Sequence, residues 1–391
     1  MTQRAGTAIA DSAIERLLAR ERERFAADRP VSAQLARDAA AHWLGGVPMH
    51  WMLDWGTPFP VSVVEARDAE LIDVDGLRYV DFCLGDTGAM FGHSPAAVAA
   101  ALRTQAERGL TCMLPSSDAP VVGQLLASRF GLPVWQMAQT ASDANRAVLR
   151  WARAITGRPK VLVFDGCYHG AVEDALVELA GDRVRSRPGL VGQVSDVASH
   201  VRVVEFNDAE ALERALATGD VACVLAEPVM TNAGMVLPEP GFLDALRKLT
   251  ASAGTLLVID ETHTISSGPG GHARTLGLEA DFLVVGKAIA GGFPCAVYGC
   301  TTEMAAGIDR VLRAKPAGHS GIGTTLSGNP LALAALRANL EHVMTEPAYA
   351  RMTQTIERLC AGLEALIARH ELAWNVSRVG ARAELGFTAH P

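Results

Sequence analysis

The chain has 391 residues, a length typical of two or three domains. Hydrophobic residues make up 49% of it and charged residues 20%, which indicates a globular protein and excludes a disordered one. The net charge of −8 argues against nucleic acid or an anionic membrane as a partner, since either needs a basic face. No apolar run reaches the roughly 18 residues of a transmembrane helix. Seven cysteines without C-x-x-C spacing favour reduced thiols, so we expect a cytoplasmic protein and no metal site.

The predicted elements begin with a surface helix over residues 1–28, where apolar residues recur at helical spacing among charges. From residue 60 onward, apolar runs of strand type alternate with helical segments. The predicted strands are 134–140, 160–165, 221–228, 255–261, 282–287 and 296–301. Runs rich in Val, Leu and Ile with helices between them predict an α/β fold with a largely parallel sheet covered on both faces. The short connection before the last of these strands favours an antiparallel member there.

The two ends of the chain differ from this alternating centre. The first 60 residues are helical and then aromatic, whereas the stretch after residue 330 is predicted as one long helix followed by a strand-like piece. We therefore predict three parts. They are 1–60 as an N-terminal helical segment and part of a small domain, 61–318 as a large domain, and 319–391 as an interdomain helix and an incomplete C-terminal small domain.

Lys287 stands out because it ends the apolar run "FLVVGK" and is followed by residues too small to crowd its amine. Only four lysines occur, and the other three look like solvent-facing charges. A buried lysine has a lowered pKa and becomes a nucleophile that forms Schiff bases with aldehydes. Read alone, Lys287 has an alternative explanation as a structural lysine whose ammonium reaches water.

Two further stretches place polar residues at strand ends, where ligands bind in doubly wound sheets. Ala141 and Ser142 open a helix whose free backbone N–H groups and dipole can hold a phosphate, although an ordinary helix cap has the same pattern. Asp260 follows a run of four apolar residues, 256–259, and is expected to be buried. A buried carboxylate needs a cationic partner, which is either a protonated ring nitrogen of a cofactor or an arginine.

Tyr168 and His169 follow the predicted strand 160–165. The tyrosine can stack on a flat ring and the histidine can form a hydrogen bond beside it. One ligand would use all of these features: a phosphate cradle, an aromatic ring to stack on its own ring, a carboxylate for a ring nitrogen, and an amine for an aldehyde. That ligand is pyridoxal 5′-phosphate (PLP).

From about Gly45 to the C-terminus, seven ordered motifs resemble the class III, fold type I, PLP-dependent aminotransferases, and within them the glutamate-1-semialdehyde aminomutase-like branch. The motifs are "AELIDVDGLRYVDF" with "GHSPAAV", "TASDANRAVLRWARAITGR", "FDGCYHG", "LAEPVMTNAGMVLPEPGFL", "VIDETHT", "VGKAIAGGFPCAVYG" and "GTTLSGNPLALAAL". The resemblance implies a large PLP-binding domain with a mostly parallel seven-stranded sheet flanked by helices. It also implies a small α/β domain built from both chain ends, and a homodimer.

The resemblance also implies roles for individual residues. Lys287 forms the Schiff base with PLP and later moves the substrate proton, Asp260 keeps the ring nitrogen protonated, and Tyr168 stacks on the ring. Thr325 reaches the phosphate of the partner subunit. The implied cofactor-binding residues are Ala141, Ser142, Tyr168, His169, Glu227, Asp260, Thr262, Lys287 and Thr325.

Several positions depart from the family pattern. Ala141 and Asp143 replace the usual glycine and glutamate, and we expect the phosphate cradle to tolerate Ala141 if its φ is negative. Thr262 and His263 replace the usual valine and its polar or methionine successor, so Thr262 is expected under the ring. His263 is either a substrate-side residue or a satisfied structural histidine.

The substrate side departs most. The semialdehyde branch has an arginine for the substrate carboxylate after its "GGV", whereas this chain has His50, Trp51 and Trp55 there. We hypothesise a wider, more aromatic pocket and a substrate other than glutamate-1-semialdehyde. The alternative is that these side chains only pack the small domain.

The sequence is interpreted as that of an aminotransferase, which moves an amino group between an amine or amino acid and a keto acid or aldehyde. A 2,1-aminomutase or a racemase of the same family is the alternative within this chemistry. A third alternative is a PLP-binding relative without catalytic turnover.

Overall fold

The structure, a computed structural model, describes residues 11–194 and 196–388. The helices are α1 (Asp11–Asp28), α2 (Pro30–Ala39), α3 (Ala96–Ala106), α4 (Ala119–Phe130), α5 (Ala141–Thr156), α6 (Ala209–Leu216), α7 (Phe242–Ser252), α8 (Gly271–Leu276), α9 (Thr302–Ala314), α10 (Pro330–Ala338) and α11 (Glu346–His370). The strands are β1 (Val63–Arg67), β2 (Glu70–Asp73), β3 (Arg78–Val80), β4 (Val134–Ala138), β5 (Lys160–Phe164), β6 (Val177–Ala180), β7 (Arg183–Ser186), β8 (Val201–Val204), β9 (Val221–Ala226), β10 (Leu256–Asp260), β11 (Phe282–Val285), β12 (Ala296–Cys300), β13 (Asn375–Val379) and β14 (Arg382–Gly386).

The chain forms two compact units, one ending at Leu84 and the other beginning at Gly85. The first unit contains α1, α2 and an antiparallel sheet of β1, β2 and β3. The carboxylate of Asp75 starts α2 by accepting hydrogen bonds from the backbone N–H groups of Val31 (2.7 Å) and Ser32 (3.0 Å), which have no partner inside the helix. The three-part division predicted from the sequence stays a prediction.

A seven-stranded sheet forms the centre of the second unit, in the order β4-β12-β11-β10-β9-β5-β8. Strand β12 is antiparallel to both of its neighbours, and the other six strands run in one direction. This confirms the fold predicted from the sequence, including the antiparallel member. The six strands predicted individually correspond to β4, β5, β9, β10, β11 and β12, whereas β8 was not among them.

Side chains on both faces of this sheet are buried, which explains the continuous apolar runs of its central strands. Along β11, Phe282 and Val284 join one core with residues of α5, α6 and α7. Leu283 and Val285 join the other core with residues of α3, α4 and α10. The alternation follows from the two-residue period of a strand, so helices cover both faces.

The predicted single long helix after residue 330 is wrong, because the chain forms two helices there. A π turn at Asn339–Val343 follows α10, and Thr345 then caps α11 by accepting a hydrogen bond from the backbone N–H of Ala348. The predicted N-terminal helix is described from Asp11 onward, and its first ten residues lie outside the described residues. Within the described residues, no helix is both long and apolar enough to cross a membrane.

Candidate active site

The candidate site lies at one edge of the seven-stranded sheet, where β4, β5, β9, β10 and β11 all have their carboxyl ends. A cavity of about 330 Å³ opens there. The predicted site residues that line it are Ala141, Ser142, Tyr168, His169, Glu227, Asp260, Thr262, His263 and Lys287. Parallel strands bring these residues together although they are far apart in the sequence.

The backbone at Lys287 is held in an unusual conformation. The strand that precedes it ends at Val285, two residues earlier than predicted, and Lys287 begins a short 3-10 turn with φ of +47°. A non-glycine residue seldom adopts this left-handed region, and the strain is on the order of 1–3 kcal/mol. The buried side chain of Asn339 secures the turn by donating hydrogen bonds to the carbonyl oxygens of Ala288 (3.0 Å) and Ile289 (2.8 Å).

The amine of Lys287 has two close partners. Its Nζ donates a hydrogen bond to Oδ2 of Asp86 at 2.5 Å and lies 2.7 Å from Nε2 of His263. Burial lowers the pKa of Lys287, and the hydrogen bond to Asp86 opposes that shift without cancelling it. The lysine is therefore easier to deprotonate than an exposed one, as a nucleophile requires.

Asp260 is the last residue of β10 and is buried. One of its carboxylate oxygens accepts hydrogen bonds from Nδ2 of Asn145 (2.9 Å) and Nδ1 of His169 (3.0 Å), and the other accepts from the backbone N–H of Thr262 (3.0 Å). Burial would raise the pKa of Asp260, but the hydrogen bond and charge of His169, together with the hydrogen bonds from Thr262 and Asn145, lower it to about 2. Asp260 is thus a fixed negative charge, and its partner is a histidine rather than the arginine considered as an alternative.

Helix α5 supplies the candidate phosphate cradle. Thr140 caps it by accepting a hydrogen bond from the backbone N–H of Asp143 at 3.1 Å, so the first turn at Ala141 and Ser142 opens onto the cavity. Ala141 is not among the residues with positive φ, so its methyl group causes no backbone strain. The hydroxyl of Ser142 accepts a hydrogen bond from the backbone N–H of Ala171 at 3.0 Å, which fixes its position.

The cradle and the lysine segment touch at Gly286. A Cβ atom added there would lie 2.8 Å from Cβ of Ala141, closer than real Cβ atoms approach. We predict that Gly286→Ala pushes the start of α5 away and weakens PLP binding by about 5- to 150-fold, since overpacking typically costs about 1–3 kcal/mol. A PLP titration followed by absorbance measures this loss.

The matched control for Gly286→Ala is a second substitution at Ala141, the residue that the added methyl group would contact. Adding Ala141→Gly removes the opposing methyl group and is expected to recover most of the lost PLP affinity. A double variant that binds PLP no better than Gly286→Ala alone would show that contact with Ala141 is not the cause.

The remaining wall of the cavity offers a ring face and a buried acid. Tyr168 is 42% exposed and lines the cavity, and its backbone N–H donates to Glu227 at 3.5 Å. Burial raises the pKa of Glu227, which also accepts hydrogen bonds from the hydroxyl (2.7 Å) and backbone N–H (3.1 Å) of Thr231. The hydroxyl of Thr262 is buried at the cavity wall without a hydrogen-bond partner in the described part of the chain.

The other predicted residues are found in a loop and on or beside a short helix. Thr325 is exposed in the loop between α9 and α10, and its contact with a partner subunit stays a prediction. His50 and Trp51 lie on the short helix His50–Leu53 of the first unit, and Trp55 follows it. Their role on the substrate side also stays a prediction.

Sequence reasoning missed four residues around the site. Asp86 and Thr87 lie in a loop, and both have positive φ. Arg382 begins β14 and reaches His263 and Thr87. Asn145 is fully buried inside α5, and its polar side chain on an otherwise apolar helix face is the one signal that could have identified it.

The cavity fits PLP on three observations. The ionised carboxylate of Asp260 suits a protonated ring nitrogen, the first turn of α5 suits a phosphate, and the unpartnered hydroxyl of Thr262 has room for a polar ligand atom. With Lys287 opposite, the site offers an amine to an aldehyde. The sheet order and this arrangement together define the class of fold type I PLP-dependent enzymes.

Comparison with known proteins narrows the class. Residues 52–388 match the family model "Aminotransferase class-III". A glutamate-1-semialdehyde 2,1-aminomutase of Syntrophomonas wolfei is 34% identical over 337 residues, which are 84% of this chain and 76% of that protein. The chain therefore belongs to the class III aminotransferase family, as the sequence motifs predicted, and PLP is its cofactor.

Solved structures agree with this placement. A glutamate-1-semialdehyde-aminomutase from Pseudomonas aeruginosa PAO1 is 49% identical, with 98% of this chain and 85% of that chain covered and a TM-score of 0.94. A variant of that protein with a lysine replaced by alanine is in complex with PMP. An omega-transaminase from Sphaerobacter thermophilus is 27% identical, with 92% and 83% covered and a TM-score of 0.85.

Proposed function

We propose that this chain is a PLP-dependent 2,1-aminomutase whose substrate is glutamate-1-semialdehyde or a close analogue. The observation that carries the proposal is the 49% identity to the Pseudomonas aeruginosa aminomutase across nearly the whole chain. The curated relatives bear the same enzyme name. This similarity favours the aminomutase over the aminotransferase that was the main interpretation of the sequence.

Different residues of the chain would have different roles in such a reaction. When bound, PLP supplies an aldehyde that takes up an amine and a ring that draws electrons from the carbon losing its proton. Asp260 would supply the negative charge that keeps the ring nitrogen protonated, because its pKa is about 2. Lys287, once released from the cofactor, would use its Nζ to move a proton between the substrate carbon that carries the nitrogen and the cofactor carbon that receives it. Tyr168 covers one face of the site.

A second candidate, an aminotransferase, has its own supporting observation. No arginine occurs between the "GGV" of residues 45–47 and Arg67, although the resemblance implies one there for the substrate carboxylate. His50, Trp51 and Trp55 occupy that stretch instead. Aromatic side chains favour an apolar amine, and an omega-transaminase is among the structural relatives.

One experiment separates the two candidates. We predict that the purified holoenzyme converts ¹⁵N-labelled glutamate-1-semialdehyde, without any added amino acceptor, into the isomer whose amino group has moved to the neighbouring carbon. Retention of the label in the product, measured by mass spectrometry, shows that the semialdehyde itself supplies the amine and that no external donor or acceptor is needed. Incubation of the enzyme with an aryl-alkyl amine and pyruvate serves as the comparison reaction.

The contrary result is equally definite. If the semialdehyde is left unchanged while the aryl-alkyl amine transfers its nitrogen to pyruvate, the aminomutase proposal is wrong and the chain is an aminotransferase. A Lys287→Ala variant in both assays controls for reaction catalysed by free cofactor.

A further inference from the structure

A connected set of polar side chains surrounds the amine of Lys287. His263 is buried, and its Nε2 lies 2.7 Å from Nζ of Lys287. Its other ring nitrogen, Nδ1, lies 2.9 Å from Nη1 of Arg382 and 3.0 Å from the hydroxyl of Thr87. The guanidinium also donates a hydrogen bond to that hydroxyl at 3.0 Å. The ring is thus held between Arg382 and the lysine.

The arginine decides which ring nitrogen carries the proton. A guanidinium has donors and no acceptor, so Nδ1 of His263 must accept from it. A neutral imidazole has one N–H, which therefore resides on Nε2 and faces Lys287. An ammonium group has donors and no acceptor. If Lys287 were protonated, its N–H would therefore point at the Nε2–H of His263, and no hydrogen bond could form between them.

A neutral amine resolves this conflict. Its lone pair accepts from Nε2–H of His263, and one of its own N–H groups donates to Oδ2 of Asp86 at 2.5 Å. Protonation of the histidine instead is disfavoured, because burial and the nearby charge of Arg382 both lower the pKa of His263.

The other charges near the pair are Asp86, Arg382 and Asp260. Asp86 favours the ammonium state, but its side chain is 62% exposed and its charge is screened by water. Arg382 lowers and Asp260 raises the pKa of Lys287. The hydrogen-bond arrangement therefore decides the protonation state.

We propose that His263 is a positioning residue that presents Nε2–H to Lys287 and so keeps the free lysine a neutral, nucleophilic amine, with Arg382 fixing the required histidine tautomer. This inference rests on the proposed role of Lys287 as the lysine that links to the cofactor. An amine reacts with an aldehyde through its lone pair, and only the neutral form has one. The arrangement therefore keeps Lys287 ready to bond PLP and to accept a proton.

The test measures the protonation of Lys287 directly, without substrate or turnover. The protein, freed of cofactor, is labelled with a trace of acetic anhydride over a range of pH, and the acetylation of each lysine is quantified by mass spectrometry. Lys160, Lys248 and Lys315 are controls within the same molecule. We expect the midpoint for Lys287 to lie below theirs.

The decisive variant is His263→Gln, whose amide keeps a polar group but can turn its oxygen toward an ammonium group. Its acetylation midpoint for Lys287 is expected to rise by about one pH unit, which corresponds to about tenfold less neutral amine near pH 7. The rate at which added PLP becomes covalently attached falls by about the same factor. Coincident midpoints for the variant and the wild type would overturn the proposal.

A double-mutant comparison tests the part assigned to Arg382. Arg382→Gln lets Nδ1 of His263 take the proton, so the midpoint for Lys287 should rise in the wild-type background and change little when combined with His263→Gln. An equal rise in both backgrounds would show that Arg382 acts through its charge alone. Melting temperatures establish that each variant is folded.

Failure of this inference is distinguishable from failure of the proposed function. If borohydride reduction of the holoenzyme fixes PLP on Lys287 but the labelling midpoints coincide, only the role of His263 is wrong. If PLP is fixed on another lysine, the role of Lys287 itself is wrong.

Discussion

Replacement of Lys287 by alanine is expected to abolish covalent attachment of PLP and to lower kcat by about 10⁴-fold or more. The loss is large because one side chain both bonds the cofactor and moves the substrate proton, and a positioned proton-transfer group alone contributes about 10²–10⁴-fold. Non-covalent binding of the cofactor should persist, since the substitution leaves Asp260 and the first turn of α5 unchanged. Borohydride reduction followed by peptide mass spectrometry measures the attachment.

The matched control is Lys248→Ala, because Lys248 is exposed on α7 and the change removes the same charge. That variant should keep the visible absorbance and the activity of the wild type. A visible cofactor band and normal turnover in Lys287→Ala would contradict the whole assignment of the site.

The second large effect is expected for Asp260→Asn, which keeps the shape of the side chain and removes its charge. We predict a fall in kcat of about 10²–10³-fold, the range typical for loss of a preorganised electrostatic group. The ring nitrogen would lose the anion that keeps it protonated, and the buried His169 would lose its charged partner. Steady-state kinetics with the substrate found for the wild type measures the effect.

A chemical rescue distinguishes this cause from simple damage to the fold. PLP methylated on the ring nitrogen is permanently cationic, so it should restore part of the activity of Asp260→Asn and none to Lys287→Ala. Asp281→Asn is the structural control, because Asp281 precedes β11 at the opposite edge of the sheet and pairs with Arg247 at 3.0 Å. If the methylated cofactor gives no rescue, Asp260 does not act through the ring nitrogen.

The sequence predicted Lys287 and Asp260 well because each ends or follows an apolar run, where a charged residue is conspicuous. The direction of the strands then follows from the βαβ alternation, so both residues were expected at one edge. The partner of Asp260 could not be predicted in the same way. His169 follows β5, which lies two strands from β10 in the sheet. Local sequence patterns do not reveal the order of strands in a sheet, so the contact between His169 and Asp260 could not be predicted from them.

The residues around Lys287 that were not predicted were missed for a different reason. Asp86 lies in a loop with no strand or helix pattern, and Arg382 comes from a hairpin near the end of the chain. Both look like ordinary surface charges in the sequence, and only tertiary packing brings them to His263 and Lys287. Strand β8 was missed because it is only four residues long and follows an irregular stretch.

Because the cavity is assembled from five strand ends, the stability of the folded protein depends on the supply of cofactor. No short stretch of the chain carries the cradle, the carboxylate and the lysine together, so PLP binds the native sheet and not the unfolded chain. Mass action then stabilises the native state by about 2.7 kcal/mol when free PLP is at 100 times its Kd. In a cell that is short of PLP, a larger fraction of the chains would therefore be unfolded and open to proteolysis. The amount of enzyme would then fall and rise with the supply of its cofactor.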